Sequence, residues 1–171
     1  MRSNELAEHE ADAYVTAMRG VATSVTIVST ARSEGCVAQT VSAMSSVCVE
    51  PPVLLACVNR RSPVEAAIAA TGVFAVSVLA ADQAHVADVF AGRATAVAGP
   101  YDFSCTTWIE HASGCPVVAG AVAWFDCRLE SRLDVGSHAV LLGAVQHSGR
   151  TGGTPLVYCE RDYARPLPLA A

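Results

Sequence analysis

Polar and apolar positions change period several times along the chain, and each change predicts an element. Over about residues 4 to 19, Leu6, Tyr14, Ala17 and Met18 recur among acidic residues at roughly helical spacing, and the run ends at Gly20, which predicts a surface helix. From Ala22 β-branched residues take over in "ATSVTIVST". The turn residues "RSEG" follow, and "CVAQTVSAMSSVCV" predicts two successive strands joined as a hairpin. "PPVLLACVN" predicts a further strand, with Pro51 and Pro52 confined to its entrance. Ser62 then stands as a helix N-cap: Pro63 suits the first helical position and Glu65 has the capping-box spacing, with the helix ending before Gly72. "VFAVSVL" predicts another strand, and "DQAHVADVFAG" a short helix with Asp82 as its cap and Gly92 as its stop. Residues 93 to 116 carry no strong period. Three long β segments follow, "VVAGAVAWFDCRLESRLDV", "HAVLLGAVQHS" and "PLVYCE", and the tail "ARPLPLAA" is expected to be mobile or to lie on a partner.

Short helices among many strands, without regular strand–helix alternation, predict a mainly β fold built as an antiparallel barrel rather than a doubly wound sheet. A chain of 171 residues is expected to form a single domain over 1–171 and to bury about two thirds of its unfolded surface without a metal or disulfide. An apolar fraction of 52% against 16% charged residues exceeds what one subunit must bury, so a homodimer is expected.

Charge and cysteine usage narrow the partners. All eleven basic residues are Arg, yet the net charge is -5 and no basic tract occurs, which argues against a nucleic-acid binder. The absence of Lys fits either forked contacts to phosphate and carboxylate or a GC-rich coding bias. Seven cysteines include no C-x-x-C pair and sit mostly in apolar stretches such as "LLACV" and "WFDCRL". Buried reduced thiols predict a cytoplasmic protein. The acidic start "MRSNELAEHEADAY" does not read as a signal peptide, and no apolar run reaches membrane-spanning length.

Three stretches carry candidate chemistry. In "CVNRRSPVEAAI" a strand gives way to a helix at Asn59, Arg60, Arg61 and Ser62; free helix-start amides beside two arginines form a place that holds phosphate, and equally an ordinary cap beside solvated arginines. In "QTVSAMSSV" hydroxyl and small residues alternate along one strand, which suits either a flat ligand against the backbone or local hydrogen bonding. In "VGSHAVLLGAV" His138 follows a Gly turn, as a substrate contact or a solvated side chain. The remaining histidines lack metal-ligand spacing, so no metal is expected. No G-x-S-x-G elbow, Gly-rich dinucleotide fingerprint or P-loop is present.

In this order, "VATSVTIVST", "AQTVSAMSSVCVEPPVLLACVNRRS", "FAVSVLAADQ", "FAG", "GAVAWFDC", "GSHAVLLGAV" and "PLVYCERDY" resemble the short-chain flavin reductases, the reductase components of two-component flavin monooxygenases, over about residues 14 to 163. The resemblance implies a Greek-key, FMN-binding split β-barrel, a homodimer holding FMN or FAD at or near the subunit interface. It implies that Thr40, Val41, Ser42 and Ala43 line the isoalloxazine with Ser45 and Ser46 following, and that Asn59, Arg60 and Ser62 hold the flavin phosphate. It places His138 near the nicotinamide of NADH or NADPH, orienting the hydride donor without an acid–base role, with Tyr163 closing that pocket. The implied activity is NAD(P)H:flavin oxidoreduction that supplies reduced flavin to a partner monooxygenase. Four positions depart from the family pattern: Ser24 replaces a Gly, Ala38 and Gln39 replace a Gly and an apolar residue, and Ser137 replaces the Asp of G-D-H. These departures admit two alternatives, a split-barrel flavoenzyme with another redox substrate and a non-catalytic flavin-binding protein.

Overall fold

The computed structural model describes residues 2–96 and 98–169, with the side chains of the first helix from residue 10 onward. Helix α1 (Arg2–Arg19) precedes strands β1 (Thr23–Ser24), β2 (Thr26–Arg32), β3 (Gly35–Val41), β4 (Met44–Val49) and β5 (Pro52–Asn59). Helix α2 (Pro63–Thr71), strand β6 (Val73–Val78) and helix α3 (Ala84–Phe90) follow. Strands β7 (Trp108–Glu110), β8 (Pro116–Val118), β9 (Ala123–Val135), β10 (His138–Arg150), β11 (Val157–Cys159) and β12 (Asp162–Ala164) complete the order.

Seven strands form one antiparallel sheet in the order β3-β2-β6-β9-β10-β5-β4, flanked by a three-stranded sheet β1-β11-β12 and the pair β7-β8. Strand β5 shows how pattern becomes packing. Leu54, Ala56 and Val58 point inward and are buried, whereas Val53, Leu55 and Cys57 alternate onto the outer face. The inner residues join Val28, Val41, Phe74 and Leu141, and α2 covers them with Val64 and Ile68. Gly143 is required here because a Cβ on it would lie 2.5 Å from Phe74 Cζ. A second core gathers Ile27, Leu79, Val86, Val89 and Phe90 beneath α3, where the Phe90 ring stands edge-on to Phe103 and Trp108. Strand β2 buries polar residues as well, each with a partner: Thr26 Oγ1 donates to the Val41 carbonyl at 2.6 Å and Thr30 Oγ1 to that of Val73 at 2.8 Å.

The mainly β, antiparallel character expected from the sequence is present, with three helices. Several local expectations are corrected. Strands β3 and β4 are successive but not a hairpin: β3 pairs with β2, β4 pairs with β5, and the two occupy opposite edges of the seven-stranded sheet. Residues 42 and 43 join them outside either strand, with the Met44 amide donating to the Ser42 carbonyl at 3.2 Å and the Cys57 amide to the Ala43 carbonyl at 2.9 Å. Asp82 does not cap α3. Gln83 holds the N-cap position, and its amide side chain bridges the Ala80 amide at 3.0 Å to the Ala119 carbonyl at 2.8 Å. The long segment from Val117 breaks at Gly120, whose φ of 77° turns β8 away from β9. Residues 93 to 116 contain a 3-10 turn over Phe103–Cys105 and the strand β7. Of the tail, Leu167 and Leu169 are exposed, and the last two residues lie outside the described residues.

Candidate functional site

The changeover from β5 to α2 is built as the sequence implies, with two differences. Ser62 is the N-cap, its Oγ accepting from the Val64 amide at 3.2 Å, and Pro63 opens the helix. Gly72 closes it in the left-handed conformation at φ 71°. Glu65 does not complete a capping box. It is buried and turns to Arg132 of β9, to which its Oε1 is ion-paired, and that contact raises the Arg132 pKa.

The helix start also lacks the free amides expected of it. The Arg61 amide donates to Asn59 Oδ1 at 2.9 Å, the Ser62 amide to the Asn59 carbonyl at 2.9 Å, and the Glu65 amide to the Ser62 carbonyl at 3.2 Å. The Arg60 amide donates to the Ser137 carbonyl at 3.0 Å, which ties this corner to the β9–β10 turn. Any anion here is therefore held by side chains. Asn59, Arg60, Arg61, Glu65, Arg132, Gly136 and Ser137 line a pocket of about 700 Å³, within the size range of small-molecule sites. Arg60 is braced by Asp134 at 3.2 Å and by the Gly136 carbonyl at 3.2 Å. Arg132 reaches Asp134 at 2.9 Å as well as Glu65. Among the described residues, the Arg61 guanidinium alone of these three makes no hydrogen bond or ion pair, so the pocket keeps one uncompensated cation.

His138 opens β10 and pairs in register with Asn59. Its ring is exposed, and Nδ1 lies 2.9 Å from Ser137 Oγ. The hydroxyl that replaces an acid at position 137 thus still contacts the imidazole.

The strand predicted to line a flat ligand approaches a different opening. Thr40 and Ser42, with Val25, Ala91, Arg93, Tyr158 and Tyr163, line a pocket of about 200 Å³. Thr40 Oγ1 donates to the Ala87 carbonyl of α3 at 2.6 Å, so its hydroxyl also ties β3 to that helix. Val41 is buried in the core and offers a ligand only its backbone, whereas Ser42, Ala43, Ser45 and Ser46 are exposed. The Gln39 Oε1 atom is buried without a partner among the described residues. Tyr163 lies in this pocket rather than in the one lined by Asn59 and Arg60, and burial, reinforced by a hydrogen bond to Asp88, pushes its phenol up to about 12.

Sequence reasoning missed Arg132, Asp134, Asp88 and Arg93. Each acts through a partner distant in sequence or on a second element, and no short motif announces it.

Residues 18–166 match the family described as "Flavin reductase like domain". The chain is 40% identical over 162 residues to the FMN reductase (NADH) RutF 1 of Methylorubrum extorquens strain PA1, covering 93% of this chain and 77% of that protein. Among solved structures, BorF, the flavin reductase component of a bacterial two-component tryptophan halogenase, has a TM-score of 0.80 at 31% identity, covering 91% of this chain and 97% of that one. The Streptomyces globisporus NADH:FAD oxidoreductase SgcE6, solved in complex with NAD and FAD fragments, has a TM-score of 0.82 at 29% identity, covering 91% and 92% of the two chains. A match that runs from the last turn of α1 to just beyond β12, together with a relative this similar along nearly the whole chain, means that the protein belongs to the flavin reductase family.

Proposed function

We propose that this protein is an NADH-dependent flavin reductase that reduces FMN and releases it to a partner monooxygenase. The observation that carries the reading is the family match with the polar corner intact: Asn59, Arg60 and Arg61 line one pocket directly before the Ser62 cap, and Arg61 is left without a counter-charge. That donor set fits a flavin phosphate, because a dianion needs an unpaired cation and neutral donors beside it. A flavin bound there would supply the electron sink for a hydride from the nicotinamide carrier. The chain's own part is to hold two flat rings together. Thr40 to Ala43 give the flavin ring a wall of small residues, with Ser45 and Ser46 following on β4. His138, steadied by Ser137, orients the nicotinamide carrier at the end of β10, and the Tyr163 ring bounds the opening beside Thr40.

The same reading includes a finer architecture and assembly. The seven-stranded sheet is a Greek-key split barrel, supported by the direct connection of its two edge strands through residues 42 and 43. The outer face of β5, β10 and β9 aligns Cys57, Val140 and Leu133 in one row and Leu55 and Leu142 in another, and Leu133 and Val135 are more than half exposed. A second copy of the chain covers this face, giving a homodimer of single-domain subunits. All seven cysteines are free thiols, which suits a reducing compartment such as the cytoplasm, and no described helix is long and apolar enough to cross a membrane.

Stopped-flow mixing of the purified protein with NADH or NADPH and with FMN or FAD tests the activity. NADH with FMN is expected to bleach the flavin band fastest. Failure of all four pairings rejects the reductase reading and, where a yellow chromophore stays bound, leaves the two alternatives: a flavoenzyme whose flavin another substrate reduces, and a non-catalytic flavin binder.

A further inference from the structure

Away from the Asn59 corner, side chains from two different parts of the chain converge on one carboxylate oxygen. Asp88 Oδ1, on α3, accepts from the Tyr163 hydroxyl at 2.8 Å and from Arg93 Nε at 3.0 Å. Arg93 Nη2 pairs with the same oxygen and donates to the Tyr163 hydroxyl at 3.0 Å. The backbone reinforces this arrangement. The Arg93 amide donates to the Asp88 carbonyl at 2.9 Å, following Gly92 at φ 82°.

An exposed ion pair is ordinarily loose and contributes little. This guanidinium is instead fixed through Nε and Nη2, and the bonds that fix it leave Nη1 unused. Arg93 and Tyr163 line the pocket of about 200 Å³ that Thr40 and Ser42 also line, whereas Asp88 is not part of that lining. The pair therefore presents its positive end to the pocket and keeps its negative end behind. A planar fork held on one edge is a preorganised donor on the other.

We propose that Arg93 is a flavin-binding residue whose free Nη1 edge meets the carbonyl-bearing pyrimidine edge of an isoalloxazine seated along Thr40 to Ala43, with Asp88 and Tyr163 as positioning residues; the proposal rests on the flavin reductase reading. Chemical complementarity selects that edge. The dimethylbenzene end of the ring has nothing for a guanidinium to bond, whereas the pyrimidine end carries two carbonyls. Two-electron reduction places negative charge at N1 and the C2 carbonyl, so a cation there favours reduced over oxidised flavin.

The test compares the wild type with Arg93→Gln, Arg93→Lys and Tyr163→Phe. It reads FMN affinity by fluorescence quenching, the midpoint potential of the bound flavin, and the thermal midpoint. Arg93→Gln is expected to weaken oxidised FMN several-fold and reduced FMN roughly tenfold more, the size of one charge-assisted hydrogen bond. That tenfold change in ratio lowers the two-electron potential by about 30 mV. Arg93→Lys recovers part of the potential because it keeps the charge. Tyr163→Phe leaves both charges in place but loosens the fork, and it lowers affinity and potential by a smaller step, which carries the test should Arg93→Gln not fold. An unchanged potential and FMN affinity in the folded variants overturns the role of Arg93 while wild-type NADH oxidation leaves the reductase reading standing. A wild type that neither binds FMN nor oxidises NADH removes both.

Discussion

Arg61 is the residue on which anion affinity at the β5–α2 corner turns. Its neighbours Arg60 and Arg132 are each offset by a carboxylate, and Arg61 is not. Arg61→Ala is expected to raise the FMN dissociation constant roughly tenfold while leaving the thermal midpoint nearly unchanged, since an unpartnered surface guanidinium contributes little to folding. Fluorescence titration beside a melting curve separates the two effects; an unaltered dissociation constant contradicts the assignment. Two protons, one on the buried Cys127 and one on the half-buried Tyr163, give the molecule an alkaline weakness. Burial pushes the Cys127 thiol from 9.0 up to about 12, and burial with the Asp88 contact moves the Tyr163 phenol from 10.0 to about 12. Both folded values lie above the unfolded ones. Below pH 9.0 the protons are bound in both states; above it the unfolded chain releases them first, so stability falls as pH rises towards 12. Urea midpoints at about pH 8 and about pH 10.5 should show the loss, and Tyr163→Phe should show less of it. A wild-type midpoint that does not change over that interval contradicts both placements.

At the scale of elements, α2 is bounded by signals visible in its own sequence, and they can be tested singly. Ser62→Ala removes the Val64 acceptor and is expected to lower unfolding free energy by about 1 kcal/mol. The same variant should also weaken FMN binding, because the cap fixes the start of α2 directly after Arg61 of the anion pocket. Chemical denaturation with and without FMN measures both, and a variant as stable as wild type shows that the cap is not the helix's start signal. The capping-box spacing of Glu65 misleads for an identifiable reason. The side chain is drawn instead to Arg132, 67 residues away, and a buried carboxylate gains more from an ion pair than from a terminal amide. Strand β4 misleads similarly. Alternation correctly marks β3 and β4 as strands, but their partners depend on which neighbours bury their inner faces.

For the whole molecule, the outer face of β5, β10 and β9 is the feature to test. Leu133 is 63% exposed and Val135 54% exposed in a single chain. Replacing Leu133 by Arg is expected to shift the species in sedimentation velocity from dimer to monomer and to weaken flavin binding with it, if the flavin sits near the subunit interface. A variant that remains dimeric locates the interface elsewhere. Burying two uncompensated guanidinium groups across a symmetric contact is strongly unfavourable, so the substitution is decisive where the face is used.

The sequence by itself determined the mainly β class, most element positions, the Ser62 cap with its Pro63 and Gly72 companions, and the resemblance that led to the family. These are local properties: periodicity, cap chemistry and short motifs are complete within a few adjacent residues. The tertiary structure alone decided which strands pair, that Arg60 and Arg132 are offset by carboxylates while Arg61 is the cation left over, and that Asp88, Arg93 and Tyr163 meet at one oxygen. Those facts depend on groups separated by up to 135 residues, as for Thr23 and Tyr158 in the β1–β11 pair. Which donor finds which acceptor at such a distance is set by packing of the two cores, and no spacing rule along the chain encodes it.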